Sequence, residues 1–437
     1  MTAPLDQLLT AWMPQQRWYP AKGRGVGVRL LATRDLPSDE AGVRVTVHVV
    51  GLDSGDRFDV VQVPLTYRTD SPADDAAVLG EVLDPDGEHA WASDGPHDPA
   101  FVAALLRDME RPASRPAPRP VRSRVLRGEQ SNTSVIVETD HDPVIVKVFR
   151  SLHPGQNPDV EVLRALDGSE QVPGLVGWSS GRWPDRHGAE TSGHLAVATE
   201  FVADGRDAWR EAAEAVAAGD DFTERAHSLG LATATLHGAL ATAFGTTPAD
   251  DATRARLRDA LRDRVAWALS STDALTRFRD ALTRRADDLR VERIPALQRV
   301  HGDYHLGQVL HSPTRGWVIL DFEGEPLRPL AERTRPDLAL RDVAGMLRSF
   351  DYAAGQVRVE SPDRGAAADA WAGRARDAFC RGYAAGSGHD PREDAELLAA
   401  LELDKALYEV VYEAGNRPAW IDVPLSAVER LVGAASG

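Results

Sequence analysis

Asp303, Gln308 and Asp321 are oxygen-bearing side chains spaced five and then thirteen residues apart. They stand in His301-Gly-Asp-Tyr-His-Leu-Gly-Gln308 and Val318-Ile-Leu-Asp-Phe-Glu-Gly-Glu-Pro326. Moving a phosphoryl group onto a hydroxyl needs a carboxylate to orient that hydroxyl and oxygen ligands to hold Mg2+ on the phosphates of ATP. Asp303 suits the first task, and Gln308 and Asp321 the second. Two other readings compete. His301 and His305 lie four apart, the spacing of a helical zinc site, but Gly302 and Gly307 oppose a helix and no glutamate lies between the histidines as a base. The plain alternative is a polar turn between buried strands. The joint spacing favours phosphoryl transfer over both.

The elements around this set must deliver it to a nucleotide. Trp317-Val-Ile-Leu320 predicts a strand, and His311-Ser-Pro-Thr-Arg-Gly316 the turn before it. In the protein-kinase template H-R-D-x-x-x-x-N is followed by D-F-G. Here Gln308 takes the place of the Asn, and Asp321-Phe-Glu that of the D-F-G. Upstream, Pro143-Val-Ile-Val-Lys-Val-Phe149 places Lys147 in a buried β-branched run, where an ammonium calls for an anionic partner. Glu161, on a helix opened by Asn157-Pro158, is the expected partner, against a solvated edge-strand lysine as the alternative. Gly128-Glu-Gln-Ser-Asn-Thr-Ser134 predicts a strand–turn–strand offering N–H groups and hydroxyls to phosphate. Leu195 to Val202 predicts a strand ending near Glu200, placed as a hinge for adenine.

The chain has 437 residues and a formal charge of −17, enough length for two or three domains and a charge that disfavours nucleic acid and anionic membrane. Its one cysteine, Cys380, excludes an intrachain disulfide framework and fits a reducing cytoplasm. The start lacks a signal-peptide pattern, and no apolar run is long enough to span a bilayer, so a soluble cytoplasmic protein is expected. Leu5 to Met13 predicts a helix, Val43 to Val50 an alternating strand, and Phe58 to Pro64 its hairpin partner. Gln15 to Arg24 reads either as a sugar or phosphate contact or as a Trp18–Tyr19 anchor among solvated cations. Arg111 to Val121, then Arg122, holds four prolines and four arginines and marks a boundary. Residues 1–110 are therefore expected as a small α+β domain, 111–202 as a nucleotide-binding sheet, and 203–437 as a mostly helical region. In the last, His237 reads as a core histidine, and Asp342 as an acceptor for catalytic-loop N–H groups. Glu413, Arg417 and Trp420 read equally as a sugar platform or as helix-end packing.

Taken together, Gln15-Gln-Arg-Trp-Tyr, Gly128 to Ser134, Leu152-His-Pro-Gly155, Asn157 to Glu161, the motifs at 301 and 321, Arg341-Asp-Val-Ala-Gly-Met346 and Tyr412 to Trp420 resemble the actinobacterial maltokinases. The resemblance implies an α+β, two-lobed, protein-kinase-like fold of the aminoglycoside-phosphotransferase type with an additional N-terminal α+β cap. It implies ATP-dependent phosphorylation of maltose at its anomeric hydroxyl, feeding α-glucan synthesis. Asp303 would be the catalytic base, with Gln308, Asp321 and Glu323 on Mg2+. Lys147 backed by Glu161, the Ser131, Asn132, Thr133 and Ser134 segment, and Glu200 would serve ATP. His301, His305, Glu413, Arg417 and Trp420 would serve the sugar. ATP and a small sugar are the expected partners, in a monomer or weak homo-oligomer. Another sugar such as glucosamine, or nucleotide binding without turnover, are the competing functions.

Overall fold

The computed structural model describes residues 4–70, 77–126, 131–325 and 330–433. The chain divides into two compact units. The N-terminal unit comprises residues 1–168 and 173–203, and the C-terminal unit comprises 169–172 and 204–437.

The N-terminal unit opens with helix α1 (Leu5–Trp12), then strands β1 (Gly27–Leu36), β2 (Val43–Asp53), β3 (Phe58–Arg68), β4 (Val78–Leu83) and β5 (His89–Asp94). These form one antiparallel sheet in the order β1-β2-β3-β5-β4. Helix α2 (Pro99–Asp108) follows, started by Pro99 and capped by Asp98, whose carboxylate accepts the Ala100 N–H. Leu9, Met13, Trp18 and Tyr19 pack with Val50, Val61, Val63 and Leu65 into one core. Trp18–Tyr19 is thus a buried anchor, the second of the two readings of that stretch. Although β2 alternates, its polar residues Thr46 and His48 are buried along with the valines. The His48 ring bonds Thr33, Thr46 and Tyr67 at 2.8–3.0 Å, so the polar face closes on itself.

A second antiparallel sheet follows: β6 (Pro120–Val125), β7 (Asn132–Thr139), β8 (Val144–Phe149), β9 (Leu175–Pro184) and β10 (Glu190–Glu200), in the order β6-β7-β8-β10-β9. Pro120 begins β6 at the sheet edge, where a missing N–H costs no ladder bond. Helix α3 (Pro158–Ala165) lies between β8 and β9, with Asn157 as its cap. The first sheet is tied to the end of β8. Gln62 N donates to Arg150 O, Leu152 N to Val60 O, and the Gln62 amide to Phe149 O and Leu195 O, all at 2.8–2.9 Å. Arg150 is fully buried, paired with Asp94 at 2.6 Å, with its guanidinium 4.9 Å over the Trp18 ring.

The C-terminal unit is mostly helical. In chain order come β11 (Arg206–Asp207), α4 (Ala208–Ala218), α5 (Thr223–Phe244), β12 (Thr246–Thr247), α6 (Asp251–Ser271), α7 (Arg279–Asp287), β13 (Leu297–Gln298), β14 (Val309–Ser312) and β15 (Gly316–Ile319). Helices α8 (Leu330–Arg333), α9 (Ala339–Glu360), α10 (Gly365–Ser387), α11 (Ala395–Asn416) and α12 (Asp422–Gly433) complete it. Gly230 and Gly382 let the α5 and α10 backbones touch, because a Cβ at either would meet the other helix's backbone. The short excursion at 169–172 is held to the β14–β15 hairpin: Ile319 N donates to Gln171 O at 2.7 Å, and the Arg315 guanidinium to Glu170 O and Val172 O. Among the described residues no helix is long and apolar enough to cross a membrane.

Candidate active site

Helix α9 lays out the loop that carries Asp303. Residues 342, 345 and 349 recur at helical spacing on one face. Asp342 accepts the N–H groups of His301 at 2.8 Å and Gly302 at 2.9 Å. At Gly345 a Cβ would sit 2.5 Å from Tyr304 O, so only glycine lets the loop lie against the helix. Ser349 Oγ accepts the Leu306 N–H at 3.1 Å. Burial works against the Asp342 carboxylate, but His237, His301 and the Gly302 N–H hold its pKa below the ordinary value. His237, 3.1 Å from Asp342 and 3.0 Å from the Tyr383 hydroxyl, is the buried histidine expected there. The Tyr304 hydroxyl meets Thr233 Oγ1 at 2.8 Å, and burial pushes its pKa up.

His301 corrects an expectation. It was assigned to the sugar, but it is 1% exposed with both ring nitrogens committed. Nε2 donates to Leu320 O at 2.8 Å and Nδ1 accepts the Asp303 N–H at 3.3 Å. The ring lies between Tyr304 and Phe322, bracing the two motif loops against each other. His305 is half-buried, and its Nδ1 accepts the Gly307 N–H at 3.1 Å, which leaves Nε2 as a donor. Burial holds its pKa below the ordinary histidine value, so it is neutral near pH 7.

Asp321 follows β15 with φ of +62°, the sole non-glycine left-handed residue among those described. Such a backbone costs roughly 1 kcal/mol outside glycine, although aspartate tolerates it better than most. Gln308, at the end of the short turn Leu306–Gln308, brings its amide to 3.4 Å from Asp321 Oδ2, and Leu320 N donates to Gln308 O at 2.9 Å. The hairpin β14–β15 thus joins the residues expected on Mg2+; a carboxylate and an amide both carry the hard oxygen that suits that ion, although here the Gln308 amide N–H is what faces Asp321. Glu323 stands two residues on; Pro326 of the same motif lies outside the described residues. The Arg333 pKa is lowered by burial, against the opposing pull of Glu323, Glu325, Asp321 and Asp303.

Lys405 is the residue that spacing did not reveal. From α11, its ammonium reaches Asp303 Oδ1 at 3.1 Å and lies 5.5 Å from the Tyr408 ring centre. Burial pushes its pKa down, but Asp303, then Glu409 and Glu325, outweigh that and hold it above the ordinary lysine value. The same helix presents Glu409, bonded by the Arg348 guanidinium at 2.7 and 3.0 Å, and Glu413, bonded by Arg417 at 2.5 and 2.9 Å and by the Tyr352 hydroxyl at 3.3 Å. Arg417 stacks 5.1 Å over Trp420. Glu413 is 1% exposed, so its carboxylate anchors Arg417 rather than opening to solvent.

In the N-terminal unit, β8 carries Lys147, whose ammonium meets Asp159 Oδ2 of α3 at 3.3 Å; Asp159 is a partner the sequence reading did not name. Glu161 stands one half-turn further along α3. Glu200 closes β10: its N–H donates to Gly174 O at 2.8 Å and its carboxylate accepts the Gly174 N–H at 3.1 Å. The expected phosphate turn is shorter than predicted. Residues 128–130 lie outside the described residues, Ser131 is exposed, and Asn132, Thr133 and Ser134 already belong to β7. Thr133 and Ser134 are buried, and the Thr133 hydroxyl accepts from Arg150 Nε at 2.8 Å, so it serves the Arg150 junction instead of a phosphate. The β-branched run after Ser134 extends the strand back over these residues.

Known proteins carry the same parts. Residues 12–98 match the maltokinase N-terminal cap domain, and residues 123–403 match the phosphotransferase enzyme family. The chain is 31% identical over 383 residues to a glucosamine kinase of Mycolicibacterium smegmatis (strain ATCC 700084 / mc(2)155), covering 82% of this chain and 93% of that protein. A glucosamine kinase of Streptacidiphilus jiangxiensis is 33% identical over 209 residues, 46% of this chain and 47% of that one. Among solved structures, a glucosamine kinase in crystal form A superposes with a TM-score of 0.66 at 25% identity, over 99% of both chains. A glucosamine kinase in complex with glucosamine, ADP and inorganic phosphate gives 0.67 at 24%, over 99% of this chain and 100% of that one. The chain belongs to the phosphotransferase enzyme family and carries its kinase-like fold behind a maltokinase-type N-terminal cap.

Proposed function

We propose that this phosphotransferase is an ATP-dependent sugar kinase whose acceptor is maltose, phosphorylated at the anomeric hydroxyl. The observation that carries the acceptor is the pairing of charge on α11 and beside it. Asp303 is matched by Lys405, Glu409 by Arg348 and Glu413 by Arg417. Carboxylates already neutralised within the protein suit a neutral sugar better than one bearing an ammonium, which would compete with Lys405 for Asp303. The maltokinase-type cap supports the same acceptor. A second reading, phosphorylation of glucosamine, is favoured by the Mycolicibacterium smegmatis relative.

In this reaction the acceptor oxygen attacks the γ-phosphorus, the bond from that phosphorus to the β,γ-bridging oxygen breaks, ADP departs, and the hydroxyl proton passes to Asp303. Lys405 holds Asp303 Oδ1, which leaves the other oxygen for the hydroxyl. His305 supplies an Nε2–H donor to the sugar, and Arg417 with Trp420 a guanidinium-backed ring. Gln308 and Asp321 would hold Mg2+ with Glu323 nearby, and when bound the ion neutralises charge on the transferring phosphoryl group. Lys147, kept by Asp159 with Glu161 on the same helix, serves the ATP phosphates, and the Glu200 strand end serves as the adenine hinge. Such a reaction draws on cytoplasmic ATP.

The test is Mg-ATP turnover on maltose, glucose, glucosamine and an aminoglycoside, with Asp303→Asn alongside. Maltose is expected to be preferred, and Asp303→Asn to lower kcat by about 10²-fold or more with little change in acceptor KM. Preference for glucosamine would establish the second reading, and ATP binding without any turnover would overturn both.

A further inference from the structure

On α9, Asp342 and Ser349 hold the loop of Asp303. The residues just before them, Arg341 and Arg348, lie about 100° round the same helix and reach α11 instead. The Arg341 guanidinium donates to Asp404 at 3.1 Å, and Arg348, fully buried, donates through Nε and Nη2 to Glu409 Oε2 at 3.0 and 2.7 Å. One turn on, the Tyr352 hydroxyl donates to Glu413 at 3.3 Å. Residues 341, 348 and 352 share one face of α9, and their partners 404, 409 and 413 follow in the same order along α11, so the contacts fix one sliding register between the two helices. Lys405 lies inside that register, directly after Asp404 and one turn before Glu409. The clamps are themselves fixed. Arg348 Nη1 donates to Asp351 at 2.7 Å, which also receives Arg376 at 3.2 Å and Arg430 at 2.8 Å. Arg341 Nε donates to Asp337 at 2.8 Å, and Asp404 also receives Arg264 of α6 at 2.9 Å. A planar guanidinium bonded along two edges is held in one orientation, which a point-charge ammonium is not. One helix therefore carries both halves of the Asp303–Lys405 pair, the carboxylate through the loop on one face and the ammonium through α11 on the next.

We propose that Arg341 and Arg348 are positioning residues for phosphoryl transfer, which set Lys405 against Asp303 by fixing the register of α11 on α9. The inference rests on the kinase reading, whichever sugar is the acceptor. Its test is a double-mutant cycle on Mg-ATP turnover with the sugar of highest kcat/KM. Arg341→Met and Arg348→Met are each expected to lower kcat by about 10-fold, with a smaller change in the KM for ATP. In a Lys405→Met background the same substitutions should cost less than about twofold more, because the residue they act through is gone. Losses that add in full overturn the proposal, since a general loosening of the fold would act in both backgrounds. Full kcat in Lys405→Met overturns it as well. Should Arg348→Met fail to fold, Arg341→Met carries the cycle, because Asp404 there keeps Arg264. A second readout needs no turnover. Only three of the 50 lysines and arginines are lysines, Lys22, Lys147 and Lys405, so protein labelled with 13C-lysine gives three side-chain signals. The Lys405 signal, assigned by its loss in Lys405→Met, must move in the arginine variants while the Lys22 and Lys147 signals stay; an unmoved Lys405 signal overturns the proposal. A protein without turnover on any sugar would count against the kinase reading, and the Lys405 signal would still decide the register.

Discussion

Asp303 and Lys405 are 102 residues apart in the chain and 3.1 Å apart in space. Removing the ammonium while keeping the stem isolates its role. Lys405→Met is expected to lower kcat by about 10-fold or more with a smaller change in the KM for ATP, and Lys405→Arg to restore part of it. A drop in melting temperature with unchanged kcat would instead make the pair purely structural. Asp303, Gln308 and Asp321 were legible because their relation is local: one turn and one hairpin join them. Lys405 was not, because a lysine on an amphipathic helix looks like a solvated one until the fold brings α11 to the loop. Asp159 illustrates the same limit at shorter range. Pro158 sets where α3 begins, but residues 159 and 161 lie about 200° apart around a helix, and spacing does not say that Asp159 reaches Lys147. The histidines in His301-Gly-Asp-Tyr-His305 share a motif, yet one braces the loop and the other keeps a free donor; burial makes that distinction.

Among the elements, α9 is the template for the loop that carries Asp303. Replacing a glycine inside a helix by alanine ordinarily stabilises by about 0.5–1 kcal/mol. Gly345→Ala should reverse that sign, destabilising by roughly 1–3 kcal/mol and lowering kcat, because the methyl group strikes Tyr304 O. A gain in melting temperature with full turnover would show that the loop is not seated there. At the end of β8, Arg150 joins the two sheets of the N-terminal unit. Arg150→Met leaves Asp94 buried without its partner and is expected to cost about 3–5 kcal/mol, whereas Arg150→Met with Asp94→Leu should recover most of it. Equal losses in the single and double variants, read by chemical denaturation, would refute that account. The hairpin β2–β3 was plain from its alternation, but β4 and β5 were not. Their buried positions include Ala90, Ala92, Ser93 and Asp94, small or polar residues whose burial comes from neighbouring strands and from Arg150.

For the molecule as a whole, acid is expected to act on the N-terminal unit first through His48. Burial holds its pKa down to about 4, against 6.5 when unfolded, so the folded state refuses a proton that the unfolded chain accepts. Its contribution is complete above pH 6.5 and declines by about 1.4 kcal/mol per pH unit as pH falls toward 4. His194, depressed mainly by burial in the same unit, adds in the same direction. Thermal melts between pH 7.5 and 4.5 should show this slope, and His48→Gln should flatten it; an unchanged slope would place the acid sensitivity elsewhere. The excursion at 169–172 has a different kind of consequence. Its carbonyls receive Ile319 and Arg315 of the hairpin that ends at Asp321, although the rest of that unit begins only at residue 204. The C-terminal unit is therefore not a contiguous cassette. A chimera joined to a relative at residue 203 would graft a foreign four-residue strap onto the hairpin that leads to Asp321, and recombination that respects the fold must exchange 169–172 together with everything from 204 onward.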